Sequence, residues 1–413
     1  MDINLDDIRN DVREWLAENW DDSLSLIEWR TKLADSGWGM PDWPVEYFGR
    51  DLPPSAVAVV QEEFAAIGAI GAMKSGPRML AAVTILAHGN QAQKQRFLRR
   101  IITGEDAWCQ LFSEPGSGSD LAGSTTRADK KGDKWIVNGQ KVWNTSAHHA
   151  DYGILVARTD WDEPKHTGLS YFLIDMHQPG VEVRQLKQMN GYASFNEVFF
   201  TDAEVPEDFL LGELGEGWPI AMTTLAYERR VAAGNREAGE DKGREGVIYD
   251  QYREESAIAT EPYAWYPQRA GRSDLIIDRA RETGSIEDAA IRQDIAKLLI
   301  KRQSMEWFIK RLAEVQKAGK ARGPEGSVTK LTASEVARMS ADLHTEITGI
   351  DAMLTGPDSP NDGIIAEVLV SVPAVSIAGG TDEIQKNIVA ERLLDLPKEP
   401  RFDTGPFKDV KRN

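Results

Sequence analysis

The hydrophobic period of this chain changes twice, and that change limits the possible folds more than any single motif does. Near the start, Leu5, Ile8, Val12, Trp15 and Leu16 recur at helical spacing. Pro41-Asp42-Trp43-Pro44 breaks the pattern, and Pro53-Pro54 opens a second helix carrying Val57, Val60, Phe64 and Ile67. A third helix is predicted from Asn90 or Gln91 to Ile102, stopping near Gly104. The period then becomes two. Trp135-Ile136-Val137 and Gln140-Lys141-Val142-Trp143 flank Asn138-Gly139, which predicts a hairpin with a type I′ turn. Tyr152 to Val156, Tyr171 to Ile174, Val181 to Val183 and Val198 to Phe200 read as further strands, so this region predicts a small β-barrel or sandwich. After Gly217 the helical period returns. The stripes are Ile291, Ile295, Leu298 and Leu299; Met305, Phe308, Ile309 and Leu312; and Val336, Met339, Leu343 and Ile347. Long helices of this kind favour a bundle. The polar stretch from Gly234 to about Asp274, with Tyr263-Ala264-Trp265-Tyr266-Pro267 inside it, reads as a long loop. The expected fold class is therefore α+β multidomain. Its parts are a helical domain over 1–105, a β-barrel or sandwich over 106–212, a helical bundle over 213–400 and a tail over 401–413.

Charge narrows the function classes. Lys and Arg number 48 against 66 Asp and Glu, a net charge of -18, which argues against nucleic acid as a partner. An anionic cofactor would need a local site of backbone amides and a few cations. Cys109 stands alone, which excludes an intrachain disulfide framework or a Cys-rich metal site. The six His show no metal-ligand spacing, and no metal is expected. The acidic start Met1-Asp2-Ile3-Asn4-Leu5-Asp6-Asp7 lacks the basic-then-apolar order of a secretory leader. The apolar stretch Ile364 to Gly380 contains Glu367 and Pro373 and is short for a membrane span. These features predict a cytoplasmic protein without stable membrane insertion.

Three segments carry candidate chemistry. In Trp108-Cys109-Gln110-Leu111-Phe112-Ser113-Glu114-Pro115-Gly116-Ser117-Gly118-Ser119-Asp120 an apolar strand runs into a Gly- and Ser-rich turn. Such a turn exposes amides and hydroxyls suited to a phosphate or a carbonyl oxygen, although by itself it is an ordinary strand-end loop. In Gly379-Gly380-Thr381-Asp382-Glu383-Ile384-Gln385 two glycines precede a helix start, with Thr381 as N-cap and two acids in the first turn. Free amides there can meet an anion or a carbonyl, or can simply open a helix. Tyr227-Glu228-Arg229-Arg230 lies early in a helix after Pro219. A lone Glu at such a place is usually a solvated ion-pair partner.

Together these segments resemble the acyl-CoA dehydrogenase family. The likeness begins at Trp38-Gly39-Met40-Pro41 with Trp43-Pro44-Val45-Glu46-Tyr47, and includes Gln93-Lys94-Gln95-Arg96-Phe97-Leu98. It is strongest from Ser113-Glu114-Pro115-Gly116 to Ser119-Asp120. It continues through Asn138-Gly139-Gln140-Lys141-Val142-Trp143 and closes at Gly380-Thr381 with Glu383-Ile384-Gln385. The resemblance implies a helical domain, a β-domain and a C-terminal four-helix bundle, with FAD as cofactor. It implies that Gln110, Phe112 and Ser113 lie beside the flavin, and that Ser119 sits near the FAD pyrophosphate and the acyl-CoA. Trp143 and Thr145 match residues behind the isoalloxazine ring, and Thr381 and Glu383 fall where the C-terminal motif meets FAD.

Many members place the base, a Glu, immediately before the Gly-Thr pair; here that position is Gly379, which cannot accept a proton. A minority, including isovaleryl-CoA dehydrogenase-like enzymes, carries it on a helix directly before an Arg, and Glu228-Arg229 looks like that arrangement. The resemblance then implies α,β-dehydrogenation of an acyl-CoA. Glu228 removes the α-proton, flavin N5 takes the β-hydride, and the Gly379 amide supports the thioester oxygen. Tyr227, Arg229 and Gly380 fall beside the substrate, and shielding by the acyl chain is expected to raise the pKa of the base. An electron-transfer flavoprotein is the implied acceptor. The segment Ser376-Ile377-Ala378-Gly379-Gly380-Thr381 resembles the subgroup acting on bulky acyl-CoAs such as steroid side chains, some of which are heteromers. The segments Gly271 to Arg281 and Gly349 to Gly356 match the family's intersubunit FAD motifs poorly. A homotetramer and a heterotetramer therefore both stand as expectations. Two alternatives stand beside an active dehydrogenase: a non-catalytic partner subunit of a heteromer, and an oxidase on the same scaffold.

Overall fold

The structure is a computed structural model that describes residues 4–72, 76–232, 243–317, 323–401 and 403–410. Two compact units form. One comprises Met1–Leu186, Ala193–Pro262 and Phe402–Asn413, and the other Lys187–Tyr192 and Tyr263–Arg401.

The first unit begins with helices α1 (Leu5–Asn19), α2 (Leu26–Ser36), α3 (Pro54–Ile67), α4 (Gly76–His88) and α5 (Gln91–Thr103). Their ends follow local chemistry. Pro54 stands at the start of α3, where its missing N–H costs nothing. Asn90 and Gln93 form a reciprocal capping box at the start of α5, and Gly104 closes that helix in a left-handed conformation. The α2 and α4 helices lack the clean stripe that predicted α1, α3 and α5. Trp29 of α2 is fully buried, its ring tilted against Trp15 and Phe64 and edge-on to Trp20, so its place is set by tertiary aromatic packing.

Eight strands follow: β1 (Trp108–Leu111), β2 (Arg127–Lys131), β3 (Lys134–Thr145), β4 (Tyr152–Arg158), β5 (Leu169–Asp175), β6 (Val181–Leu186), β7 (Phe195–Pro206) and β8 (Leu210–Leu211). They form one sheet in the order β6-β7-β3-β2-β4-β5-β8, with β1 parallel to β4. The hairpin expected at Asn138-Gly139 does not form there. β3 runs straight through those residues, and the turn falls at Gly132-Asp133, with Gly132 at φ +67°. Asn138-Gly139 marks a bulge instead. Asn138 exchanges hydrogen bonds of 3.1 and 2.9 Å with Asp202, which takes φ +51° on β7. A Cβ on Gly139 would stand 2.5 Å from the Thr126 hydroxyl, so close strand approach, not a turn, requires this glycine.

Helix α6 (Gly217–Ala232) leads back to α7 (Val247–Thr260). The segment read as a loop from Gly234 to Asp274 therefore contains a helix, and its residues 234–242 lie outside the described residues. Ile248 and Tyr249 of α7 are buried with Trp29 and Phe64, and the Tyr249 hydroxyl donates to the Gly68 carbonyl at 2.8 Å. The polar majority of α7 hid this short apolar face. Residues 403–410, expected as a tail, dock on the β-region. Phe407 is buried under Arg158, 3.4 Å from the guanidinium carbon to the ring centre, and Lys165 pairs with both Asp120 and Asp403.

The second unit is helical. Its elements are α8 (Tyr266–Arg269), α9 (Ile276–Glu282), α10 (Ala289–Lys317), α11 (Glu325–Thr348), α12 (Ile364–Ser371) and α13 (Asp382–Arg392). Helices α9, α10, α12 and α13 all pack on α11. The first two stripes seen in sequence belong to one helix, α10. Ile295 and Leu298 are buried on it, while Ile300 and Trp307 are exposed.

Glu255 of α7 meets Arg30 at 2.6 Å and Arg78 at 3.1 Å, and the Arg30 side chain is only 3% exposed. Glu255→Ala leaves Arg30 charged and buried without its partner. The expected loss is about 3–5 kcal/mol of stability, read as a lower urea midpoint for the helical region; Glu255→Asp should lose less.

Candidate functional site

The end of β1 is organised by a buried ion pair. Phe112 is buried against the Tyr171 ring, and the chain then turns tightly, with Glu114 and Ser117 exchanging backbone hydrogen bonds of 3.0 Å. The Glu114 carboxylate points inward. It accepts from the Thr125 amide and hydroxyl at 2.8 Å each and from the Thr126 amide at 2.9 Å. The Lys141 ammonium lies 2.9 Å from it and also donates to the Phe112 carbonyl at 2.9 Å; the Lys141 side chain is fully buried. Burial pushes the Glu114 carboxyl up, but Lys141 and the two amides outweigh it and hold the carboxyl down at about 2. Burial pulls Lys141 below its ordinary 10.5, with Glu114 opposing. Neither residue stood out in sequence as the organiser of this turn. The available signal was period: Lys141 falls on the inward register shared by Trp135 and Val137, where a cation requires a carboxylate.

The same turn gathers the residues expected at the cofactor. The Val142 amide donates to the Ser113 carbonyl at 2.9 Å, and the Asn144 side chain donates to the Gln110 carbonyl at 2.7 Å. These two bonds bracket Trp143 and bring it beside the end of β1. Trp143 is a bulge residue with φ +65°, 55% exposed, its ring edge-on to Phe195. That backbone region is rare for an aromatic residue. Gln110, Ser113 and Thr145 are half-buried, and the Asn144 carboxamide oxygen is buried without a hydrogen-bond partner among the described residues. An exposed indole face, half-buried amide and hydroxyl groups and an unused acceptor suit a flat ring with polar edges. Ser119 is exposed beyond the turn, next to Asp120, whose carboxylate is held by Lys165 at 2.9 and 3.1 Å.

On α6, Tyr227 is half-buried against the core of this unit, and Glu228 is also half-buried. The Gln110 amide donates to the Glu228 carboxylate at 3.4 Å. The Arg229 side chain lies outside the described residues.

In the second unit Gly379 and Gly380 take φ +70° and +88°. The Thr381 hydroxyl caps α13 by accepting from the Ile384 amide at 3.3 Å, and Glu383 is exposed. Two neighbours not singled out as site residues hold this corner. The Gln385 side chain donates to the Gly379 carbonyl at 2.9 Å. Asp382 is buried and receives Lys330 and Arg338 at 2.7 Å each; burial works against its charge, yet the two cations hold its carboxyl well below the usual range. No cluster of metal-ligating side chains occurs among the described residues, and no helix among them is long and apolar enough to cross a membrane.

Helices, one β-sheet and helices again, with polar groups and an exposed indole gathered at the end of β1, form a flavoprotein dehydrogenase scaffold. The N-terminal, middle and C-terminal domain models of acyl-CoA dehydrogenase match residues 5–105, 109–203 and 273–394. The acyl-CoA dehydrogenase IpdE1 of Mycobacterium tuberculosis is 32% identical, covering 96% of this chain and 99% of that protein. The acyl-CoA dehydrogenase FadE34 of the same organism is 34% identical, covering 89% of this chain and 46% of that protein. Among solved structures, the Tcur3481-Tcur3483 steroid ACAD superposes with a TM-score of 0.66 at 22% identity, covering 96% of this chain and 98% of that one. The chain belongs to the acyl-CoA dehydrogenase family, an oxidoreductase family of FAD-dependent flavoproteins.

Because its folded pKa is depressed, Glu114 contributes stability that is present above about pH 4.5 and is lost as the pH falls toward about 2. In Lys141→Met burial acts without its main opponent, and the Glu114 carboxyl rises. Acid unfolding, followed by near-ultraviolet circular dichroism, should then begin at higher pH than in the wild type.

Proposed function

We propose that this chain catalyses α,β-dehydrogenation of an acyl-CoA thioester with Glu228 as the base. The observation that carries this is the Gln110–Glu228 hydrogen bond of 3.4 Å, which ties the α6 carboxylate to the strand leading into the Glu-Pro-Gly turn. Gly379 has no side chain, so the corner before Thr381 offers no carboxylate of its own. Gln110 orients the Glu228 carboxylate, and Ser119 is the hydroxyl positioned beyond the turn for the nucleotide part of a ligand. In the second unit, the Gly379 corner is stiffened by Gln385. FAD, when bound, supplies the acceptor for the hydride leaving the β-carbon. Gln110, Phe112, Ser113, Trp143 and Thr145 of the first unit are the residues we assign to hold it.

The substrate class follows from likeness alone. The solved structure cited above is described as a steroid ACAD, and we read this chain as acting on a bulky acyl-CoA of that kind. An electron-transfer flavoprotein is the acceptor we expect. The exposed Ile300 and Trp307 of α10 support a tetramer, built from copies of this chain or with a second chain.

Purified protein should be yellow. Anaerobic mixing with butyryl-CoA, isovaleryl-CoA and a steroid side-chain acyl-CoA should bleach the flavin, fastest with the steroid thioester. Glu228→Gln should keep FAD and bleach about 10²–10⁴-fold more slowly. Bleaching by this variant at the normal rate would remove Glu228 from the role of base. A colourless protein that stays inert when given FAD would instead indicate a subunit that needs a partner to work.

A further inference from the structure

Helix α6 carries Glu228, and most of its contact with the rest of the first unit is apolar: Ile220 and Ala221 are buried in the main core. Apolar contact is non-directional and tolerates small rotations and slides of a helix. A buried directional contact enters at Thr224. The Thr224 hydroxyl, fully buried, lies 2.8 Å from the Thr84 hydroxyl of α4 and 3.0 Å from the Tyr171 hydroxyl of β5. Thr84 and Tyr171 are also fully buried. Thr84 donates to the Leu80 carbonyl at 2.7 Å. The Thr224 hydroxyl also lies 3.4 Å from the Ile220 carbonyl of its own helix. The three hydroxyls form one buried hydrogen-bonded group that joins α6 to α4 and β5. Burial pushes the Tyr171 phenol up, so it keeps its proton through the neutral range. Next door, His88 of α4 and Thr223 of α6 are 2.8 Å apart, a second tie at the same level.

Thr224 stands one helical turn before Glu228, on the same face of α6. Tyr171, at the far end of the chain, packs edge-on to Phe112, two residues after Gln110. The hydroxyl chain thus references α6 to the structure that holds Gln110. Building on the base assignment above, we infer that Thr224 is a positioning residue. Through Tyr171 and Thr84 it fixes the rotation and register of α6, and so sets where the Glu228 carboxylate stands relative to the end of β1.

The test compares Thr224→Val, Thr224→Ser and Glu228→Gln, each as FAD-loaded enzyme with any copurifying partner. Anaerobic flavin reduction is followed over a range of the acyl-CoA that bleaches the wild type fastest among butyryl-, isovaleryl- and steroid side-chain acyl-CoA. Valine keeps the shape and removes the hydroxyl. Thr224→Val should retain its flavin and its half-saturating acyl-CoA concentration, while the limiting rate of reduction falls about 10- to 100-fold, as expected for a reacting group displaced by an ångström or less. Thr224→Ser, which keeps the hydroxyl, should return the rate to near the wild-type value. A wild-type limiting rate in Thr224→Val, alongside an inert Glu228→Gln, would overturn the inference and leave the base assignment standing. A wild-type rate in Glu228→Gln removes the base itself, and the inference goes with it by a separately visible route. Should Thr224→Val fail to accumulate, Tyr171→Phe removes only one outer hydroxyl of the group; it should slow reduction less, and an unchanged rate there also overturns the inference.

Discussion

A carboxylate and an ammonium buried 2.9 Å apart underlie much of the first unit. Glu114 comes from the turn after β1 and Lys141 from the middle of β3, so the pair joins two segments that share no local reason to meet. Neither charge can be removed alone without leaving the other stranded away from water. The pair is also connected outward: Lys141 reaches the Phe112 carbonyl, and Glu114 collects the Thr125 and Thr126 amides. One interaction therefore sets the turn, the start of β2 and the stretch of β3 that carries Trp143. The strained backbone of Trp143 is affordable because its neighbours on both sides are bonded to β1.

The second constraint is how a helix can present a carboxylate to that strand. A carboxylate on a loop can move, whereas Glu228, the base we propose, is only as well placed as α6 itself. The hydroxyls of Thr84, Thr224 and Tyr171, and the His88–Thr223 contact, give the helix the directional reference that Ile220 and Ala221 cannot supply. In the second unit the Gly379-Gly380 corner has an analogous arrangement. Two glycines give the backbone its shape, and Gln385 and Asp382 hold it from below. In both places a buried polar residue that we assign no chemistry holds a neighbouring segment to which we assign a role.

The order of helix, sheet and helix was legible in period alone, because α1, α3 and α5 each bury one face, while β7 alternates and β4 and β5 are short runs buried almost throughout. What stayed hidden was decided by distant partners. Asn138-Gly139 has the composition of a hairpin turn, yet the partner strand β7 supplies Asp202, and the pair makes a bulge. Helix α7 shows mostly charge along its length, and only the aromatic cluster around Trp29 explains why Ile248 and Tyr249 make it a buried element. Around the site, the residues that face outward were readable as motifs. Glu114, Lys141, Asp382 and Gln385 stand within those motifs, but their role in holding them in shape was hidden, because a buried polar residue declares itself only through its partner.

Residues 403–410 carry a consequence for how the molecule assembles. Lys408 pairs with Asp162 across 246 positions of sequence, and Phe407 covers Arg158. During synthesis the β-strands emerge long before the segment that covers them, with the whole helical second unit made in between. The Arg158 and Lys165 side chains must wait, hydrated, until that segment arrives. Contacts of such long separation close late and slowly. The β-region therefore reaches its final state only after the second unit has been made, and a chain interrupted within that unit leaves this part of the first unit unfinished.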